Sequence, residues 1–246
     1  MNQPTALAVQ DLHYAYPDGQ MALRGVSFVI QPGETVGLIG SNGAGKSTLL
    51  LHLSGLLQPS SGQVCVNGLT VNATNLLAVR RQVGLVFQDP DDQLFMPTVQ
   101  EDVAFGPTNL GLPAHEVQTR VTQALATVGA SHLSSRAPYR LSGGEKRMVA
   151  IAGVLTMAPK LLVLDEPSAA LDPAARRRLI NLLAGCALTQ LIASHDLDLV
   201  QDLCSRVLVM REGIIEADGA PEAIFADAAL LAHCHLEPPL SLQCRI

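Results

Sequence analysis

Nine residues constrain this chain more than any others: Gly40, Ser41, Asn42, Gly43, Ala44, Gly45, Lys46, Ser47 and Thr48. They join an apolar run, Val36-Gly37-Leu38-Ile39, to a helix-forming one, Leu49-Leu50-Leu51-His52-Leu53. The pattern G-x-x-x-x-G-K-[ST] between a strand and a helix is that of a phosphate-binding loop. Its glycines let backbone N–H groups approach phosphate oxygens, and the helix that follows points its positive end at the same charge. Lys46 supplies a point charge for the β- and γ-phosphates, and Ser47 offers a hydroxyl to Mg²⁺. A glycine-rich turn with no ligand would not need the lysine, the hydroxyl and both flanks together.

The 246 residues are enough for one large domain, or one domain with an insertion. A net charge of −6 argues against a general nucleic-acid or anionic-membrane surface. Hydrophobic residues make up 48 %, yet the longest apolar stretch, Met148 to Ala158, is too short to span a bilayer, so the chain reads as soluble. Met1-Asn2-Gln3-Pro4 has no basic segment leading into an apolar one, so no secretory signal is expected. Cys65, Cys186, Cys204, Cys234 and Cys244 are scattered without C-x-x-C spacing and read as reduced thiols of a cytoplasmic protein.

Leu7 to Tyr16 and Leu23 to Ile30, separated by the turn signal Pro17-Asp18-Gly19, predict a hairpin ahead of the phosphate-loop strand. Tyr14 and Tyr16 share a strand face, and taken alone they read as sheet packing. A short strand at Gln63 to Val66, a helix at Leu76 to Gln82 and a buried strand at Val83 to Phe87 follow. From Asp89 to about Pro159 the pattern turns helical, at Val99 to Leu110, Ala114 to Val128 and Gly144 to Met157. This predicts a helical insertion into an α/β domain. Strands at Leu161 to Asp165 and Thr189 to Ala193 then alternate with helices at Pro173 to Leu183 and Leu197 to Leu203. A second hairpin, Val207 to Met210 and Ile214 to Ala217, closes the pattern. Alternation of this kind predicts a mainly parallel sheet with its ligands at the carboxyl ends of the strands. Arg176-Arg177-Arg178 reads as a solvated helix face.

Several strand ends carry chemistry. Leu161 to Leu164 delivers Asp165 and Glu166, the first suited to Mg²⁺ through a water shell, the second to orient or deprotonate an attacking water. Gln88 ends another strand and can place an amide oxygen near metal and water. His195, after Leu191-Ile192-Ala193-Ser194, is expected to bring a neutral donor to the γ-phosphate. Leu141-Ser142-Gly143-Gly144-Glu145 opens a helix and has the features of a second anion site. One nucleotide does not need two such sites in one chain, which points to a dimer whose subunits exchange them.

At these residues the chain resembles the ABC-type ATPases. The Gly40–Thr48 loop, Gln88, Leu141 to Glu145, Asp165-Glu166, Ser168-Ala169-Ala170-Leu171-Asp172 and His195 stand in that family's order. The resemblance implies a single ABC ATPase domain over residues 1–246, built on an α/β, RecA-like phosphate-loop core with an antiparallel β subdomain and an inserted α-helical subdomain. The core would comprise residues 1–88 and 161–230, the helical subdomain 89–160, and a carboxyl-terminal tail 231–246. It also implies a head-to-tail homodimer that closes on two Mg-ATP. Ser142, Gly143 and Gly144 would then reach the partner's nucleotide, Asp172 would line the interface, and Tyr16 would be the adenine-stacking ring.

Phe87 to Phe95, Glu101 to Pro107 and Ile151 to Leu155 are similar to the ATPase subunits of energy-coupling-factor importers, the cobalt or nickel branch above others. Asp89 stands where those proteins often have Asn, and Ala170 where they often have Gly. The resemblance implies a peripheral subunit on the cytoplasmic face of the membrane. Its partners would be a membrane scaffold, touching Asp91 to Phe95, and a substrate-binding membrane protein. Vitamins are the alternative cargo. A soluble ABC ATPase acting on nucleic acid or ribosomes fits less well, since the chain has one cassette and no basic stripe. A nucleotide-gated module without hydrolysis fits less well because Glu166 and His195 are both present. The run His233-Cys234-His235 has poor spacing for one ion and reads as part of a carboxyl-terminal helix that could support the dimer.

Overall fold

The computed structural model describes residues 5–243, so Cys244 and the amino-terminal Met1-Asn2-Gln3-Pro4 lie outside it. Two sheets organise the chain. The first is antiparallel and made of β1 (Leu7–Ala15), β2 (Met21–Ile30), β4 (Ser61–Val66) and β5 (Leu69–Thr70), in the order β2-β1-β4-β5. The second has the order β10-β9-β3-β8-β7-β6. Its members are β3 (Thr35–Ile39), β6 (Val83–Val86), β7 (Leu161–Asp165), β8 (Thr189–Ala193), β9 (Arg206–Arg211) and β10 (Ile214–Gly219). All its pairings are parallel except that of β9 with β10.

The helices are α1 (Lys46–Leu53), α2 (Leu76–Arg80), α3 (Val99–Asn109), α4 (Ala114–Thr127), α5 (Gly143–Leu155), α6 (Pro173–Ala184), α7 (Leu197–Leu203), α8 (Pro221–Ala226) and α9 (Ala228–His233). Between β6 and β7 no strand occurs, and α3, α4 and α5 pack on one another. Residue 231, where the carboxyl-terminal tail was expected to start, lies within α9, which follows α8 directly. These six-residue helices are too short to leave a periodic trace in the sequence, although Pro221 at the start of α8 is a helix-opening signal. Among the described residues no helix is long and apolar enough to cross a membrane.

The central strands look uniformly apolar because both faces are buried. Their two-residue period nevertheless divides them between separate cores. Leu161 and Val163 of β7, Leu191 of β8, Val36 and Leu38 of β3, and Leu208 and Met210 of β9 face α1 and the antiparallel sheet. Leu162, Leu164, Ile192, Ile39, Val207 and Val209 face the helical side with α5, α6 and α7. Gly37 sits on the helical side, where a Cβ would come within 2.6 Å of Val200 Cγ1 on α7. The missing side chain therefore lets α7 lie against β3, and α7 begins two residues after His195. Gly37→Val is expected to destabilise the protein by about 1–3 kcal/mol, read from the urea midpoint, with part of the loss recovered in Gly37→Val/Val200→Ala.

Candidate functional site

The carboxyl ends of β3, β6, β7 and β8 open into one cleft of about 630 Å³. Asn42 to Thr48, Gln88, Glu166, His195 and Tyr16 line it. Gly45, with φ 106, forms the turn into α1, and a Cβ there would meet Ala22 O at 2.7 Å, so this position accepts only glycine. Lys46 is buried, and its Nζ donates to Gly40 O at 2.7 Å and Ser41 O at 3.2 Å. Burial lowers its pKa, while the charges of Glu166 and Asp165 act in the opposite direction. The loop carbonyls thus hold the ammonium at the cleft floor.

Asp165 is buried beneath the loop, close to the Ser47 side chain. Burial pushes its carboxyl above the usual range, the Ser47 contact opposes this, and the neighbouring Glu166 charge adds to it. A carboxylate, a hydroxyl and the Gln88 amide at one cleft are hard oxygen donors that fit Mg²⁺, and a cation there would relieve the crowded negative charge.

Glu166 stands in the left-handed region, φ 44, a strained conformation for a side-chain-bearing residue. Its Oε2 accepts from Ser194 Oγ at 3.3 Å and the His195 N–H at 3.1 Å, and lies 2.7 Å from His195 Nδ1. Glu166 is nearly buried, whereas the His195 side chain is 64 % exposed. With Nδ1 set against the carboxylate, Nε2 is the ring nitrogen left free of Glu166, on a side chain that lines the cleft.

Tyr16 Oη is 2.8 Å from Thr48 Oγ1 and the ring forms part of the cleft wall. Tyr14 lies behind it, its ring edge-on to both Tyr16 and buried His52. Gln20, Met21, Ala22, Arg24 and Glu212 complete the wall, and no sequence motif marks them.

Ser142, Gly143 and Gly144 do not line this cleft. They open α5, where Ser142 and Glu145 form a capping box and the first-turn N–H groups have no partner within the helix. Gly143 has open space where its Cβ would be, so nothing within this chain requires a glycine there. Asp172 caps α6 through the Ala175 N–H and is exposed. The sequence reading also missed Arg147, buried on α5, which donates to Phe87 O at 2.6 Å and Gln88 O at 2.5 Å. Its place directly before the apolar run from Met148 was the available signal.

A second concavity of about 600 Å³ lies away from the cleft, between α2, α3 and α5. Leu56, Leu77, Phe95 and Phe105 are exposed along it, with Phe95 62 % accessible and its ring edge-on to Phe105. Asp102 pins the Phe95 and Met96 N–H groups at 3.0 Å. At the carboxyl terminus, His233, Cys234 and His235 do not converge. The His233 ring meets the Arg211 guanidinium, Cys234 is buried, and no cluster of metal-ligating side chains occurs among the described residues.

Comparison with known proteins agrees with this geometry. The family model described as ABC transporter matches residues 23–169. The chain belongs to the ABC transporter family and is one of its ATPases. Within that family it is 49 % identical over 238 residues to the energy-coupling factor transporter ATP-binding protein EcfA of Methanothermobacter thermautotrophicus, covering 95 % of this chain and 76 % of that one. A Geobacter sulfurreducens chain, named as a candidate ABC transporter ATP-binding protein, is 59 % identical, covering 96 % and 94 %. Among solved structures, cbiO1 of Clostridium perfringens, part of the ABC transporter complex cbiONQ, superposes with a TM-score of 0.83 at 40 % identity, covering 94 % of each chain.

Arg147→Met is expected to cost about 2–4 kcal/mol, because two backbone carbonyls lose a charged donor. It should also lower ATP turnover through Gln88. Denaturant unfolding and steady-state ATPase assays check both.

Proposed function

We propose that the chain is the ATP-hydrolysing subunit of an energy-coupling-factor importer that drives uptake of cobalt or nickel. The observation that carries the hydrolytic part is the Glu166 carboxylate. Three donors converge on Oε2, while Oε1 has no hydrogen-bond partner among the described residues and Glu166 lines the cleft. In this reading water attacks the γ-phosphorus, Oε1 takes the proton, and the bond to ADP breaks, releasing inorganic phosphate. Lys46 and the loop amides hold the phosphates, Tyr16 takes the adenine face, and His195 orients the γ-phosphate against Glu166. Mg²⁺, held by Ser47, Gln88 and, through water, Asp165, would supply charge neutralisation at the phosphates.

The open N-terminus of α5, with bare Gly143, supports the homodimer in which Ser142, Gly143 and Gly144 close over the partner's nucleotide. A related ABC cassette of 25 % identity and TM-score 0.79 is dimeric and bound to ADP and Pi. The apolar concavity around Phe95 supports docking of a membrane scaffold and, with it, a peripheral position on the cytoplasmic face. The metal cargo rests on the likeness to cbiO1.

Glu166→Gln should retain Mg-ATP binding and trap a closed dimer while hydrolysis falls at least ~100-fold; undiminished turnover removes Glu166 from this role. Ser142→Arg should bind nucleotide normally yet fail to dimerise with ATP in light scattering. The tagged subunit, expressed with its genomic neighbours and extracted in detergent, should retain a scaffold and a small membrane protein and support ATP-dependent cobalt or nickel uptake. Vitamin uptake would reassign the cargo, and recovery of ribosomal or DNA-bound partners alone would overturn the transport reading.

A further inference from the structure

Between Glu166 and α6 the chain makes a turn, Ser168 to Asp172, and Ser168 at its start and Arg176 in the helix beyond it both reach a single carboxylate. Ser168 Oγ donates to Asp196 Oδ2 at 3.1 Å. Arg176, in the first turns of α6, gives Nε to the same oxygen at 2.6 Å and Nη2 to Oδ1 at 2.9 Å. Residues 168–176 are therefore an arch with both feet on Asp196. The arch stands proud of the sheet, with Ala170 exposed at its middle in the left-handed region, φ 58.

Asp196 is the residue after His195. Its Oδ1 also accepts the Leu199 N–H at 2.9 Å, capping α7. Its own N–H donates to Ser194 Oγ at 3.0 Å, and that hydroxyl lies 3.3 Å from Glu166 Oε2. A path of hydrogen bonds thus closes from Glu166 through Ser194 and Asp196 to Ser168 and Arg176. A solvated helix face does not describe Arg176: its bidentate pair is about three-quarters buried, and only Arg177 and Arg178 point to solvent. Burial works against the Asp196 charge, but the Arg176 contact, the Leu199 N–H and Ser168 outweigh it and hold the carboxyl below its ordinary range.

We propose that Asp196, gripped by Arg176 and Ser168, is a positioning residue that locks His195 and Glu166 to the 168–172 turn. The planar guanidinium suits this task because two parallel contacts fix direction as well as distance. The inference rests on the reading above, in which Glu166 and His195 serve hydrolysis.

The test uses the full chain in three variants, Arg176→Ala, Arg176→Lys and Ser168→Ala, each assayed for steady-state turnover, fluorescent-ATP binding and thermal unfolding. Misalignment without loss of the phosphate loop predicts kcat reduced about 10- to 100-fold in Arg176→Ala with ATP affinity within about twofold. Arg176→Lys, which keeps the charge but cannot bridge both oxygens, should recover only part of kcat. Unchanged kcat in folded Arg176→Ala, or full rescue by lysine, overturns the proposal. If Arg176→Ala does not fold, Ser168→Ala decides: a drop of about threefold or more in kcat at unchanged ATP affinity supports the arch, and an unchanged kcat overturns it. Turnover retained in Glu166→Gln alone would instead overturn the hydrolytic reading, so the two failures are distinguishable.

Discussion

The site depends on the pairing of β7 with β8. Leu164 lies opposite Ile192 and Asp165 opposite Ala193, with both strands buried on both faces. Such strands cannot slip in register without moving every side chain between the two cores. Their ends therefore deliver Asp165 and Glu166 beside Ser194 and His195 as a fixed set. The Glu166 N–H donates to Ala193 O at 2.8 Å, so the ladder effectively extends one residue into the site, and the strained backbone at Glu166 is held by it.

A second dependence runs through α5. This helix begins with the capping box at Ser142, and its next turn sends Lys146 to both carboxylate oxygens of Asp91, at 2.6 and 2.8 Å. Arg147 holds the Phe87 and Gln88 carbonyls, and the Ala150 carbonyl accepts from Gln93 at 2.8 Å. One helix thus braces Gln88 at the cleft and the residues leading to Phe95 at the apolar concavity. The contacts of one helix therefore connect the concavity to the nucleotide cleft.

Much of this was legible in the sequence because local rules and tertiary demands agree. The phosphate loop, the buried strands and the polar residues at their ends are all written in short contiguous stretches. What was not legible depends on residues far apart in the chain. Arg176 looks like its neighbours Arg177 and Arg178, yet successive helix positions turn by about 100°, and only Arg176 meets Asp196. Which ring nitrogen of His195 faces Glu166 is set by the fold and not by any short motif. Gln20 to Arg24 and Glu212 join the cleft wall only because β2 and the β9–β10 turn fold over the loop. Ala170, a departure from the glycine that is common in similar proteins, adopts φ 58, which an alanine tolerates at modest strain.

The division of the central strands into two cores bears on how such a chain can change over time. Leu161 and Val163 answer to the phosphate-loop side, and Leu162 and Leu164 to the helices that carry the concavity. Substitutions on one set leave the packing of the other largely intact. The helix-facing set can therefore vary over time while the side chains packed behind the phosphate loop stay the same, so the two faces of one sheet need not evolve in step.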